Sequence, residues 1–159
     1  MKIDIVCVGK IKEKYFTEAL SEYAKRLSKY CTFSIKEVAD EKTPENASSK
    51  EETQIKAKEA DRLYKYISDD AYVIALAIEG KKYDSVGFSQ KIDKIWGMGK
   101  SHIIFVIGGS LGIHEDLKKR ADELISFSDM TFPHQLMRVI LAEQIYRAFR
   151  ISNNEPYHK

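Results

Sequence analysis

The chain has 159 residues, of which 43% are hydrophobic and 31% charged, with a net charge of +2. That length suits one domain with an adequate core, residues 1–159 as a single unit. The composition is that of a soluble globular protein and excludes fibrous and disordered classes. The charge is too small to announce a nucleic-acid partner by itself.

Ile3 to Val8 predicts a short apolar strand ending at Gly9. Met1-Lys2-Ile3-Asp4 leads straight into it, so no signal peptide is expected. No apolar stretch approaches the roughly 20 residues needed to span a bilayer. The expected location is cytoplasmic, with no membrane partner. Lys14 to Tyr30 carries Phe16, Leu20, Tyr23, Ala24, Leu27 and Tyr30 as one helical stripe. Phe33 to Val38 predicts a half-exposed strand, and Asp40 to Lys50, with Pro44, a mobile loop. Glu51 to Ile67 predicts a second helix, with Ala60, Leu63, Tyr64 and Ile67 inward. Its glutamate-rich start suits the helix dipole.

Ala71 to Ile78 is almost unbroken apolar, as in a central parallel strand covered on both faces. Glu79 to Lys82 predicts a turn. Ser85 to Trp96 predicts a helix with Phe88, Ile92, Ile95 and Trp96 inward. A strand at Ile103–Ile107, a short helix at Glu115–Asp122 and a strand at Leu124–Phe127 follow. Strands and helices alternate throughout, which predicts an α/β fold with a mainly parallel sheet and helices on both faces. The last helix, Leu136 to Ile151, is apolar nearly all round and so is covered on more than one side. The second cover is either a partner subunit, giving a homodimer, or the rest of the same chain.

Cys7 and Cys31 stand 24 positions apart with no histidine at co-ligand spacing, so neither a disulfide framework nor a metal site is expected. Three of six arginines, Arg138, Arg147 and Arg150, fall in the last 22 residues. Arginine suits bidentate phosphate contacts, and a solvated helix face reads equally well.

Two small-residue loops carry the chemistry. Ile103–Ile107 leads into Gly108-Gly109-Ser110-Leu111-Gly112, and Leu124–Phe127 leads into Ser128-Asp129-Met130-Thr131-Phe132-Pro133-His134. A Gly-Gly pair after a strand lets backbone approach a ligand, because no Cβ intervenes. The glycine loop has neither P-loop nor dinucleotide-fingerprint spacing, and alone it also reads as a tight turn. Two such loops at strand ends suggest one pocket built mostly from backbone, suited to an adenosine-containing ligand. His134 has two readings, helix cap or general base beside the pocket. Arg138 lies one turn further along the same helical face. The tail Asn153–Lys159 reads as disordered or, through Tyr157 and His158, as a base-stacking segment.

These residues carry a resemblance. Phe-Val-Ile-Gly-Gly-Ser-Leu-Gly, Ser-Asp-Met-Thr-Phe-Pro-His, Arg-Val-Ile-Leu-Ala-Glu-Gln-Ile-Tyr-Arg-Ala and a terminal Pro-Tyr-His resemble the RlmH family, ribosomal RNA large-subunit methyltransferases of the SPOUT class. Val8-Gly9-Lys10 after the first strand agrees. One departure is Tyr83-Asp84-Ser85-Val86-Gly87-Phe88, where the family often shows a Ser-Ser-Glu-Glu-Phe-like stretch. The resemblance implies a C-terminal trefoil knot, which periodicity does not reveal and which general topology disfavours. It implies a homodimer that moves a methyl group from S-adenosyl-L-methionine to N3 of a pseudouridine in helix 69 of 23S rRNA within the ribosome, with no metal. Carried over, the methyl donor meets Leu76, Gly108, Phe127, Ser128, Asp129, Met130, Thr131 and Phe132, with Gly109 and Gly112 shaping the loop. His134, Arg138, Tyr157 and His158 fall on the RNA side. Two other readings are a non-enzymatic RNA- or nucleotide-binding dimer and a flavodoxin-like flavin binder.

Overall fold

Apolar side chains alternate along the strands and split the core into two layers. The computed structural model describes residues 1–159. In chain order it comprises β1 (Lys2–Val8), α1 (Lys14–Leu27), β2 (Thr32–Val38), α2 (Ser49–Tyr64), β3 (Tyr72–Lys82), α3 (Ser85–Gly97), β4 (His102–Ile107), α4 (Glu115–Arg120), β5 (Glu123–Ser126) and α5 (His134–Ser152). All pairings are parallel, in the order β2-β1-β4-β3-β5. Ile3, Ile5, Ile103, Phe105 and Ile74 face α1, α3 and α5 through Leu27, Ile92, Ile95, Leu141 and Ile145. Val6, Val8, Val73, Ile104 and Val106 face the other way, onto Ala60 and Leu63 of α2 and Leu117 of α4. Helices therefore cover both faces, and the central strands are buried on each.

Local chemistry starts the helices where the chain must turn. Ser48 and Glu51 form a reciprocal capping box at α2, and the Asp84 carboxylate accepts from Gly87 N at 2.6 Å to open α3. Trp96, expected inward, is 48% exposed, because Ile92 and Ile95 already fill the inner face of α3. Tyr64 likewise lies at the surface.

The largest departure from expectation is β3. The predicted turn at Glu79–Lys82 is instead strand. Leu76 pairs with Ile125, the chain bulges outward over the next residues, and Lys81 then pairs with Ile125 again. Gly80 makes this possible: a Cβ there would stand 2.5 Å from the Ile125 carbonyl carbon. No helix is long and apolar enough to cross a membrane.

Candidate active site

Strand order dictates where the two loops meet. β4 is central and β5 is at the sheet edge, beyond β3, whereas α5 lies over the far side of the sheet near β1. The segment leaving β5 must therefore cross back over the carboxyl ends of β3 and β4. There it faces the loop that follows β4, and the two enclose a cavity of about 380 Å³. A volume of this size is in the range of small-molecule sites. The bulge in β3 supplies a third wall through Ala77, Ile78 and Glu79.

Leu76, Gly108, Gly109, Gly112, Phe127, Ser128, Met130, Thr131 and Phe132 all line this cavity. Asp129 does not: its side chain turns to solvent and pairs with Lys82. The second loop braces itself. Ser126 Oγ donates to Ser128 O at 3.1 Å, and Ser128 Oγ accepts from Met130 N at 3.0 Å. The glycine loop closes as a tight turn, with Gly112 N donating to Gly109 O at 3.0 Å. A Cβ on Gly109 would lie 2.8 Å from a carboxylate oxygen of Glu59 and 3.2 Å from Val8. The backbone can sit this deep only as glycine. The tight turn expected as one reading of this loop is also a wall of the cavity.

Pro133 takes the cap position of α5, leaving His134 as the first helical residue and a lining residue of the cavity. Burial, then the nearby positive charge of Arg138, push the His134 imidazole below its usual pKa. It is neutral at physiological pH and can accept a proton.

Arg138 differs from its expected place on the RNA side. It is 0% exposed, and its guanidinium donates to Val8 O at 2.6 Å, Gly9 O at 2.9 Å and the Glu37 carboxylate at 2.8 Å. A guanidinium without water needs such partners, and the carbonyls at the end of β1 and the Glu37 carboxylate provide them. Arg147 and Arg150 are also engaged within the chain, with Glu143 and with Glu155 and Tyr30.

Tyr157 and His158 do not join His134 within one chain. α5 has 19 residues, which separates its ends by about 27 Å. The tail is held at the far end. Glu155 bonds Tyr30 and Arg150, while Tyr157 packs edge-on against Tyr146, 5.0 Å between centroids, with Arg147 over its ring. The same helix leaves Leu136, Met137, Val139 and Ile140 only partly covered.

Sequence reasoning missed several lining groups. Lys118 reaches into the wall from α4 and is held there by Glu79 at 2.6 Å and Glu115 at 3.0 Å. Glu59 lies buried behind the glycine loop, accepting from Glu41 N at 3.0 Å, and burial raises its pKa. Nothing in a single sequence marks either. No group of three or more His, Cys, Asp or Glu side chains stands together as a metal ligand set.

A family model described as "Predicted SPOUT methyltransferase" matches residues 1–158. Proteins named ribosomal RNA large subunit methyltransferase H are similar along the whole chain. Those of Bifidobacterium adolescentis, Streptococcus uberis and Clostridium kluyveri are 61%, 58% and 56% identical over 159 residues, covering all of both chains in each case.

Proposed function

The chain belongs to the SPOUT methyltransferase family, and from that premise we propose that it moves the methyl group of S-adenosyl-L-methionine to N3 of a pseudouridine in helix 69 of 23S rRNA within the ribosome. That it is a methyltransferase follows from the family match and the relatives' names. The donor, the acceptor atom, the trefoil knot and a cytoplasmic location are our reading. The observation that carries it is the cavity itself, in which nine of the ten residues expected to meet the donor line one space.

The residues present fit such a donor. Apolar walls from Leu76, Ile107 and Phe127 suit an adenine ring, and the two loops offer backbone donors and acceptors to its polar edges. S-adenosyl-L-methionine supplies an electrophilic methyl group whose carbon–sulfur bond breaks, leaving a neutral thioether. The protein contributes position, because an in-line displacement depends on alignment of the two reactants. The self-braced loops hold that alignment without side-chain rearrangement. N3 must lose its proton as the new nitrogen–carbon bond forms, and neutral His134 takes it.

We propose that the functional unit is a homodimer through α5. Leu136, Val139 and Ile140 lack full cover in one chain, and a partner's tail brings Tyr157 and His158 to a pocket that its own chain cannot reach.

Tritiated S-adenosyl-L-methionine with ribosomes lacking this modification tests the reaction: label should enter 23S rRNA, and none there would sink the reading. Sedimentation at micromolar concentration should show a dimer. Deleting Pro156–Lys159 should lower turnover, and unchanged turnover would remove the tail from the site.

A further inference from the structure

The Val8-Gly9-Lys10 signature has no part in the cavity, yet it launches a basic segment at the first turn of the fold. From the end of β1 into the first turn of α1 run Lys10, Ile11, Lys12, Glu13, Lys14 and Tyr15. Three lysines stand against one acid, so these six residues carry as much net positive charge as the whole chain, +2. All three lysines are exposed. Lys10 and Lys12 pair with no carboxylate, and Lys14 reaches only the exposed Glu18, at 3.5 Å. Tyr15 is 65% exposed, its ring braced against Phe16 at 4.4 Å between centroids.

The root of this segment is fixed, and it is fixed beside the cavity. Gly9 turns the chain at φ +87° and donates its N–H to Val38 O at 2.7 Å. Arg138 grips the carbonyls of Val8 and Gly9 from below. Glu37, on the neighbouring strand β2, is occupied by Arg138 and by Ile11 N at 3.2 Å, and Glu13 within the segment bonds Lys12 N at 3.3 Å. β1 pairs with β4 up to Cys7 and Ile107, which puts the root about 5 Å from the glycine loop, one strand spacing away. The arginines of α5 are spent on internal partners, whereas the Lys10 and Lys12 ammonium groups are not.

We infer that Lys10–Tyr15 is the segment that docks RNA next to the methyl-donor cavity. Lys10, Lys12 and Lys14 take backbone phosphates beside the reacting nucleotide, and Tyr15 stacks on an unpaired base. Loops of RNA offer both at once: a dense line of phosphates and bases free to stack. The inference rests on the methyltransferase reading above.

The test compares Lys10→Ala/Lys12→Ala/Lys14→Ala and, separately, Tyr15→Ala with a charge-matched control, Lys58→Ala/Lys65→Ala/Lys94→Ala. Ribosome binding is measured by co-sedimentation across salt concentrations, turnover with tritiated donor, and S-adenosylhomocysteine affinity by calorimetry. The loop triple should raise both the ribosome Kd and KM at least tenfold near 0.1 M salt and flatten the log–log salt slope by about one for each phosphate left unneutralised. Tyr15→Ala should raise KM about fivefold or more with the salt slope kept. S-adenosylhomocysteine affinity should hold in every variant. A loop triple that matches the control in ribosome Kd, KM and slope overturns the inference. Wild-type protein that binds ribosomes through this loop but labels no RNA overturns the methyltransferase reading instead.

Discussion

The two ends of the sheet both hold a histidine among polar residues, and they treat it in opposite ways. At the amino ends, His102 Nε2 sits 2.9 Å from the Asp4 carboxylate, whose other oxygen accepts from Ser34 Oγ at 2.6 Å, and His102 Nδ1 meets Ser68 Oγ at 3.2 Å. Burial alone would raise the Asp4 carboxyl, but hydrogen bonds from Ser34, Lys2 and His102 outweigh it and hold it below its ordinary range. Every polar group there has a partner, so the cluster seals the sheet. At the carboxyl ends, His134 lines a cavity, and burial, helped by the positive charge of Arg138, holds its pKa below the usual value. Residue type is the same at both ends. What differs is whether the neighbours consume the imidazole's hydrogen-bonding capacity or leave it for a ligand.

Four variants and one pH profile set these two ends against each other. The largest effect is expected for His134→Ala, which should lower kcat about 10²–10⁴-fold, the usual contribution of a general base. S-adenosylhomocysteine affinity should change little; a retained kcat would make His134 as inert as His102. With His134 intact, turnover should stay level as pH falls past the ordinary imidazole value of about 6.5 and drop only below it. Arg138→Met should cost about 3 kcal/mol in urea unfolding, because Glu37 and two carbonyls lose a buried cation.

Asp4→Asn should cost about 2 kcal/mol by disturbing the sealed network, with turnover kept at temperatures where the protein stays folded. A loss of turnover there would mean that the amino ends are not independent of the site. The Asp4 carboxyl also sets a pH dependence. Its pKa is lowered on folding, so its contribution is fully present above the ordinary carboxylate value of about 3.9 and is lost as pH falls through the folded value. Unfolding curves of Asp4→Asn should therefore be flatter below about pH 4 than those of the wild type. Smallest is Gly109→Ala, whose added methyl must displace the Glu59 carboxylate. Donor-analogue affinity should fall about tenfold, roughly 1.4 kcal/mol, and stability to urea should fall by about 1 kcal/mol as the buried Glu59 is pushed from Glu41 N.

Much of this was readable from residues alone. Composition and periodicity located all five strands and five helices: the central strands are nearly unbroken apolar runs, α1 carries a clear apolar stripe, and α5 is apolar nearly all round. Both loops declared themselves by composition. What stayed hidden depends on partners distant in sequence. The bulge in β3 exists because β5 pairs with it twice, and Glu79-Gly80-Lys81-Lys82 by itself reads as a turn. Arg138 sits on an otherwise apolar helix, but only the fold brings the carbonyls of Val8 and Gly9 to its guanidinium, 129 and more positions away. Asp129 lies within the right motif, yet Lys82 draws its side chain outward. The tail, open between disorder and stacking, is pinned by Tyr30 and Arg150, contacts that no tail composition foretells.

The strand order has a consequence for the order of synthesis. Besides the wall from β3, the cavity needs the glycine loop after β4, the crossing segment after β5 and the first turn of α5, so most of its wall is encoded after residue 106. Translation proceeds from the amino end, and parallel pairing between distant segments forms slowly. A nascent chain can lay down β1, β2 and their helices early, but the cavity is not enclosed until the final quarter has left the ribosome. Competence is therefore acquired at release, and a chain cut short before His134 is a scaffold with no enzyme in it.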